Sequence, residues 1–129
     1  MTNSERVRTL LEQLFRDRRI DPSLLADDVE WVNPSEAVEP GTRRGVDAFN
    51  RAIESVFATW DDVHFEIEEI RENEDHVVAL GELHGRLHAS GMAVGSSHGQ
   101  LWTFRDGRAV RMEWFQDQER ALEAAGLAE

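Results

Sequence analysis

The chain has 129 residues and a mass of 14.7 kDa, the size of one ordinary domain, and we predict a single domain over residues 1–129. Its 26 acidic side chains outnumber its 14 Lys and Arg, and the net charge of −12 argues against a nucleic-acid partner, because such surfaces need cations to replace counterions on phosphate. The absence of cysteine excludes disulfides, thiol nucleophiles and cysteine-based zinc sites, so a reducing cytoplasm is the predicted location.

Two amphipathic helices are predicted in the first half of the chain. Apolar side chains recur at helical spacing in residues 4–18 and again in 46–60, with charged residues between them. Because the first twenty residues are charged throughout, we expect no membrane-spanning segment there. Between the helices we predict a short helix at 23–27 and a strand at 29–33. The segment 34–45 lacks either period and is predicted to be a loop that forms a rim or lid.

The second half of the chain has the pattern of antiparallel strands. Apolar and polar residues alternate in four segments, at 63–67, 76–88, 92–105 and 108–117. Asp106-Gly107 is a strong hairpin signal between the last two. A short helix at 118–125 is predicted to end at Gly126. Helices followed by a run of strands predict an α+β domain, in which the helices cover one face of a curved sheet.

Three stretches carry a family resemblance: LADDVEWVNP with GTRRGVDAF in residues 25–49, WTFRDGRAVRMEWF in 102–115, and ALEAAGL in 121–127. Together with the order of elements, they resemble the fold shared by nuclear transport factor two, ketosteroid isomerase, limonene epoxide hydrolase and the SnoaL polyketide cyclases. The resemblance implies a SnoaL-like cone, a curved antiparallel sheet with the helices packed on its concave face. This fold hosts isomerases, hydrolases, cyclases, dehydratases and non-catalytic binders, so it does not specify the reaction.

The catalytic groups of those enzymes are replaced in this chain. By the resemblance, Asn33 stands where ketosteroid isomerase has its general-base Asp, and Gln100 stands where it has a second acid. The catalytic positions of the epoxide hydrolases correspond to Glu82, His84 and Trp114. The acid of the SnoaL cyclases also corresponds to Trp114. The resemblance therefore implies the scaffold, with other groups in place of the usual catalytic residues.

Strand alternation predicts which side chains face the helices. Side chains two apart on a strand share a face, so the even-numbered residues of 110–114 are predicted to lie on the concave side. The even-numbered residues of 98–104, the bulkier set of their strand, are predicted to line the same pocket. The resemblance places Leu80, Glu82 and His84 there as well.

The predicted pocket joins apolar walls to a few polar groups, which suits a small, partly aromatic or polycyclic ligand. Its predicted substrate-binding residues are Trp31, Asn33, Trp60, His98, Gln100, Trp102, Met112 and Trp114. On the outer face, Leu83, Leu101 and Phe115 are expected to lie without helices to cover them. An uncovered apolar face favours a partner, so we predict a homodimer packed sheet against sheet.

Glu82 and His84 are the predicted catalytic pair. At about 7 Å along one strand face, a carboxylate could hold the imidazole charged or orient it through a water, giving a general acid or base near pH 7. Alternatively, the two residues only satisfy each other or the neighbouring backbone at a solvated edge. We predict no metal site, because His84 and His88 lie about 13 Å apart along an extended strand.

Several of these residues also have purely structural interpretations. Asn33 could cap the turn into Pro34, and Trp102 and Trp114 could belong to the core. Two functions therefore stay open. One is a cofactor-free isomerase, cyclase or hydratase that acts on a small hydrophobic carbonyl compound. The other is a non-catalytic ligand-binding or protein-association module of the same fold.

Overall fold

The computed structural model describes residues 1–35, 37 and 40–127. The helices of this part are α1 (Asn3–Asp17), a 3-10 turn (Pro22–Leu24), α2 (Val46–Thr59) and α3 (Gln118–Ala124). The strands are β1 (Leu25–Asn33), β2 (Gly41–Arg44), β3 (Trp60–Asn73), β4 (His76–Leu87), β5 (Ala93–Arg105) and β6 (Arg108–Phe115). Among the described helices, none is long and apolar enough to cross a membrane.

The six strands form one curved, unclosed sheet in the order β2-β1-β6-β5-β4-β3. Strands β1 and β6 run parallel, and every other neighbouring pair is antiparallel. The turn between β5 and β6 is made by Asp106 and Gly107, with φ of 52° and 79°. Two positive φ values in succession are typical of the tight hairpin turn that matches the twist of its strands. The predicted α+β class and this hairpin are therefore confirmed.

Each long helix buries the stripe that its periodicity predicts. Helix α1 is capped by Thr2, whose side chain accepts a hydrogen bond from the backbone N–H of Glu5. Helix α2 starts after Gly45, whose φ of 101° is costly for residues with a side chain. The two helices contribute Val7, Leu10, Leu11, Leu14, Phe49, Ala52 and Ile53 to the core.

The connection between the two long helices differs from the prediction. The predicted short helix is only the 3-10 turn, and β1 starts at Leu25. Part of the predicted loop is strand β2, which pairs with β1 from Glu30 opposite Arg44 to Asn33 opposite Gly41. The rim or lid prediction also falls on residues 36, 38 and 39, which lie outside the described residues. A four-residue edge strand is too short to show a period of its own, so only its pairing reveals it.

Two clusters of buried side chains lie on opposite faces of the sheet. The inner core lies between the sheet and helices α1 and α2. Its strand residues are Leu25, Val29, Trp31, Val77, Ala79, Trp102, Phe104, Ala109 and Met112. The outer core lies under α3 and consists of Val78, Leu80, Leu101, Ala121 and Ala125. We call the two sides of the sheet the inner face and the outer face.

Two predictions are wrong in part: that all helices lie on the concave side, and that Leu83, Leu101 and Phe115 form an uncovered outer face. Not all helices pack on the concave side, because α3 covers part of the outer face. Leu101 and Phe115 are packed there rather than left uncovered. Leu83 lies on the inner face, since it pairs with Phe65, which packs against the inner core. Close approach of α3 needs Gly99, where an added Cβ would lie 2.7 Å from the Cβ of Ala121.

Candidate functional site

The last strand places its side chains largely as predicted. Met112 is 1% exposed in the inner core, and the half-buried Trp114 packs against the same cluster. Ala109 enters the core in place of Val110, because the register between β5 and β6 shifts by one residue between Thr103 and Phe104. Such a shift turns the following side chains to the opposite face.

The prediction that Glu82 and His84 face the concave side is wrong. Strand β4 pairs with β5 without any register shift, so its side chains alternate regularly along its whole length. Ala79 belongs to the inner core and Leu80 to the outer core. Glu82 and His84 share the face of Leu80 and therefore lie on the outer face, away from the predicted binding residues.

On the outer face, Glu82 and His84 meet a third residue from the neighbouring strand. His84 Nε2 lies 3.2 Å from Glu82 Oε2 and 3.7 Å from Oε2 of Glu66 on β3. The three side chains bring one possible metal-ligand atom each to within 4.8 Å of one another. Glu66 is not indicated by any local sequence pattern, since only the pairing of β3 with β4 brings it to this place.

Two polar residues of the predicted pocket serve as partners of tryptophan side chains. Asn33 Oδ1 accepts hydrogen bonds from Trp31 Nε1, at 2.7 Å, and from Trp114 Nε1. Gln100 Oε1 accepts one from Trp102 Nε1, at 3.1 Å in the buried interior. These amides satisfy indole N–H groups that burial would otherwise leave without water. Trp31, Trp102 and Met112 lie in the core itself, with 4%, 0% and 1% exposure.

His98, the third polar residue of the predicted pocket, does not accept a hydrogen bond from a tryptophan side chain in the described part of the chain. Its ring is stacked on Trp114, with centroids 5.0 Å apart, and meets Phe65 edge-on at 5.8 Å. The side chain is only 6% exposed, and burial lowers the pKa of the imidazole to about 4, because a buried site disfavours the charged form. His98 is therefore neutral at physiological pH.

The ring nitrogens of His98 have no hydrogen-bond partner in the described part of the chain. No fully buried side-chain nitrogen or oxygen of the described residues lacks a partner, so an unpartnered nitrogen of His98 must reach accessible space. A neutral imidazole offers one N–H donor and one acceptor nitrogen. The arrangement can therefore hold one hydrogen-bonding group of a ligand between aromatic walls.

We define the candidate site as the part of the inner face formed by Asn33, Phe65, His98 and Trp114. Phe65, from β3, is a residue that the sequence analysis missed, although the alternation of its strand points it to the helices. Trp60, also predicted to bind substrate, is half-buried at the start of β3. Its ring packs close to Gly85, where an added Cβ would lie 3.3 Å from it in a tight contact.

The surface cavities lined by described residues include two of similar volume. One, of about 570 Å³, is an open groove between α1 and β3 and touches the candidate site only through Phe65. Its other lining residues are Arg8, Leu11, Glu12, Phe15, Arg16, His64 and Ile67. The other cavity, of about 520 Å³, lies at the turn between β5 and β6. Neither contains a residue of the predicted pocket, so the hydrophobic pocket of the sequence analysis stays a prediction.

Several solved structures resemble this chain over nearly its whole length. TerC, crystallised with polyporic acid, is 28% identical over 95% of this chain and 96% of its own, with a TM-score of 0.75. An NTF2-like protein of Burkholderia thailandensis E264 is 21% identical over 98% of both chains, with a TM-score of 0.78. A protein of Jannaschia sp. CCS1 named as a SnoaL-like polyketide cyclase is 19% identical over 98% of this chain and 92% of its own, with a TM-score of 0.74.

A search of the curated proteins gives no significant match. The model of the SnoaL-like domain family matches residues 5–112, most of the chain. The resemblance seen in the sequence motifs is thereby confirmed, and the chain belongs to the SnoaL-like domain family.

Proposed function

We propose that this chain binds a small, largely apolar molecule that carries a hydrogen-bonding oxygen, with His98 as its polar contact. The main observation behind this proposal concerns His98. This residue is only 6% exposed, yet its ring nitrogens have no hydrogen-bond partner among the described residues. A ring nitrogen that reaches accessible space can form a hydrogen bond with a bound ligand or an ordered water, and such a bond would stabilise this position.

The surroundings of His98 support an aromatic or other flat ligand. The imidazole is bordered by Trp114 on one side and Phe65 on another. The aromatic surface continues from Phe65 to Phe15 and from there to Phe57, with centroids 6.2 and 6.1 Å apart. Apolar walls with few polar groups are typical of sites for small organic molecules.

The protonation state of His98 restricts the chemistry of the site. With its pKa lowered to about 4 by burial, the imidazole is a weak base at neutral pH. Its N–H can donate to a carbonyl oxygen and stabilise negative charge there, as neutral histidines do in some isomerases. For isomerisation, cyclisation or hydration of a hydrophobic carbonyl compound, His98 would polarise the carbonyl. Glu82 and His84 could not act on this ligand, because they lie on the opposite face of the sheet.

The relatives suggest which compounds to test first. TerC is crystallised with polyporic acid and is 28% identical to this chain. The Jannaschia protein is named as a polyketide cyclase. We therefore choose polyporic acid and a panel of aromatic ketones, lactones and epoxides as probes.

Isothermal titration of these probes tests the proposal. We expect the wild-type chain to bind at least one probe, His98→Phe to bind it at least tenfold more weakly, and His98→Gln to retain part of the affinity through its amide. His76→Ala is the matched control, since His76 lies on the outer face and its Nδ1 is 3.1 Å from Thr103 Oγ1. Equal affinity of wild type and His98→Phe would overturn the proposal, and so would the absence of binding by the whole panel.

The predicted homodimer and the cytoplasmic location stay predictions. The homodimer was predicted from an uncovered apolar outer face. Two residues of that face, Leu101 and Phe115, are covered by α3, so less apolar surface is available for a partner. Analytical ultracentrifugation of the purified chain tests it directly. A monomer at micromolar concentration would contradict the dimer.

A further inference from the structure

We propose that Glu66, Glu82 and His84 form a binding site for a divalent transition-metal ion on the outer face of strands β3 and β4. Their possible ligand atoms lie within 4.8 Å of one another. The site is separate from His98, which points to the inner face of the sheet, and it does not depend on the ligand proposed for that face.

The distances between the possible ligand atoms are close to the distances between ligand atoms around a bound metal ion. With metal–ligand bonds of about 2.1 Å, two neighbouring ligands of a tetrahedral zinc lie roughly 3.4 Å apart. The distance from His84 Nε2 to Glu82 Oε2 is 3.2 Å, and that to Glu66 Oε2 is 3.7 Å. The side chain of Glu66 is 70% exposed, so a small rotation can close the remaining gap.

A second imidazole borders the site. His64 lies opposite His84 in the pairing of β3 with β4, and the two rings stack with centroids 5.2 Å apart. His64 Nδ1 is 3.3 Å from the backbone oxygen of Asp62. A proton on Nδ1 would donate to that oxygen and leave Nε2 unprotonated, which is the arrangement that metal-binding histidines usually show.

A bulge in β3 produces this cluster. Ile70 and Ile67 both pack against the inner core, although regular alternation would put residues three apart on opposite faces. The extra residue lies between Ile67 and Glu69, where the register with β4 shifts by one. As a result Glu66 and His64 lie on the outer face beside His84. Bulges commonly re-aim side chains next to functional sites.

The ligand types favour a transition metal over calcium or magnesium. Calcium and magnesium prefer oxygen ligands, whereas imidazole with carboxylate suits zinc and its neighbours. The net charge of −12 also favours a cation. The predicted absence of a metal site rested on the distance between His84 and His88. The structure instead pairs His88 with Asp61 and brings Glu66 to His84 from the next strand.

Titration of the chelator-treated full chain with zinc chloride tests this proposal. We expect one ion per chain, with affinity at least tenfold lower in His84→Ala and Glu82→Gln. Gly95→Ala should also weaken binding, because its Cβ would lie 3.0 Å from His84 Nδ1 and displace the ring. His88→Ala removes an exposed histidine 3.2 Å from a carboxylate and is the matched control. Circular dichroism verifies that each variant is folded.

Thermal unfolding provides a second measurement. Zinc should raise the midpoint of the wild type and of His98→Phe, but not that of His84→Ala, since only an ion bound to the native state stabilises it. The proposal is overturned if the wild type binds no zinc, if His84→Ala binds it equally well, or if His88→Ala loses as much affinity. Equal affinity for magnesium or calcium would overturn the assignment to a transition metal.

Discussion

The imidazole of His98 lies nearly parallel to the indole of Trp114, with ring centroids 5.0 Å apart and 20° between the planes. The N–H of that indole in turn donates to Asn33, which also accepts from Trp31. Strand β1 thus contributes two side chains, and β5 and β6 one each, to a continuous set of contacts. The orientation of His98 is therefore coupled to the hydrogen bonds of Asn33.

Replacing Asn33 by Ala should destabilise the fold. The substitution removes the acceptor of two indole N–H groups, one of them on the buried Trp31, and we expect a loss of about 1–3 kcal/mol in the free energy of unfolding. Urea denaturation measures it. Asn3→Ala is the control, since Asn3 accepts from Arg6 near the surface. A change of less than about 0.5 kcal/mol for Asn33→Ala would contradict the role assigned to its oxygen.

Acid should destabilise the protein through His98. Its pKa is about 4 in the folded chain and about 6.5 in the unfolded chain, so between these values the unfolded state binds a proton that the native state does not. The contribution of neutral His98 to the free energy of unfolding is therefore fully present above about pH 6.5. It is lost as the pH falls to about 4, and the total loss is about 3 kcal/mol. We expect denaturation curves of His98→Gln from pH 4 to 8 to lack this contribution.

Carboxylates also titrate in this range. The contribution of His98 is therefore measured as the difference between wild type and His98→Gln in the pH dependence of the free energy of unfolding. His88→Gln is the control, because His88 is exposed. Identical pH dependence in wild type and His98→Gln would show that His98 is not held neutral by burial.

Gly99→Ala should disturb the packing of α3. The new methyl group would lie 2.7 Å from the Cβ of Ala121, so the helix must move away from the sheet. Overpacking of this kind costs about 1–3 kcal/mol, and we expect a lower thermal midpoint and faster amide exchange in α3. Ser97→Ala is the matched control, since Ser97 is exposed two residues earlier on the same face. Unchanged exchange in the Gly99 variant would contradict the packing described here.

Gln100 and Trp102 should be strongly coupled. Gln100→Leu leaves the indole N–H of Trp102 unpaired in the interior and should cost about 1–3 kcal/mol. Trp102→Phe removes that N–H, so the double variant should lose less stability than the sum of the two single ones. A double-mutant cycle by urea denaturation measures the difference. Additivity within about 0.5 kcal/mol would exclude a contribution from this hydrogen bond.

Local sequence was sufficient for elements with one strong period. Helices α1 and α2 were located within a few residues, because each has a single apolar stripe and a polar opposite face. Strand β6 was correctly oriented from Met112 and Trp114 for the same reason, as its other face is largely charged. The motifs also identified the family correctly.

Local sequence could not orient the middle of the sheet. In β4 the run from Val77 to Leu80 is apolar throughout, because α1 and α2 cover one face of the sheet and α3 covers the other. Alternation then carries no information about which face is which, and the faces of Glu82 and His84 were assigned incorrectly.

By itself, the sequence determined the class of the domain, its family, its long helices and the hairpin at Asp106-Gly107. Tertiary structure alone decided that Glu66 meets His84. It alone also placed His98 beside Trp114, where its ring nitrogens have no hydrogen-bond partner among the described residues. The physical reason is that both contacts join residues of different strands. Their register depends on bulges and on the packing of whole helices, which a local pattern of side chains does not encode.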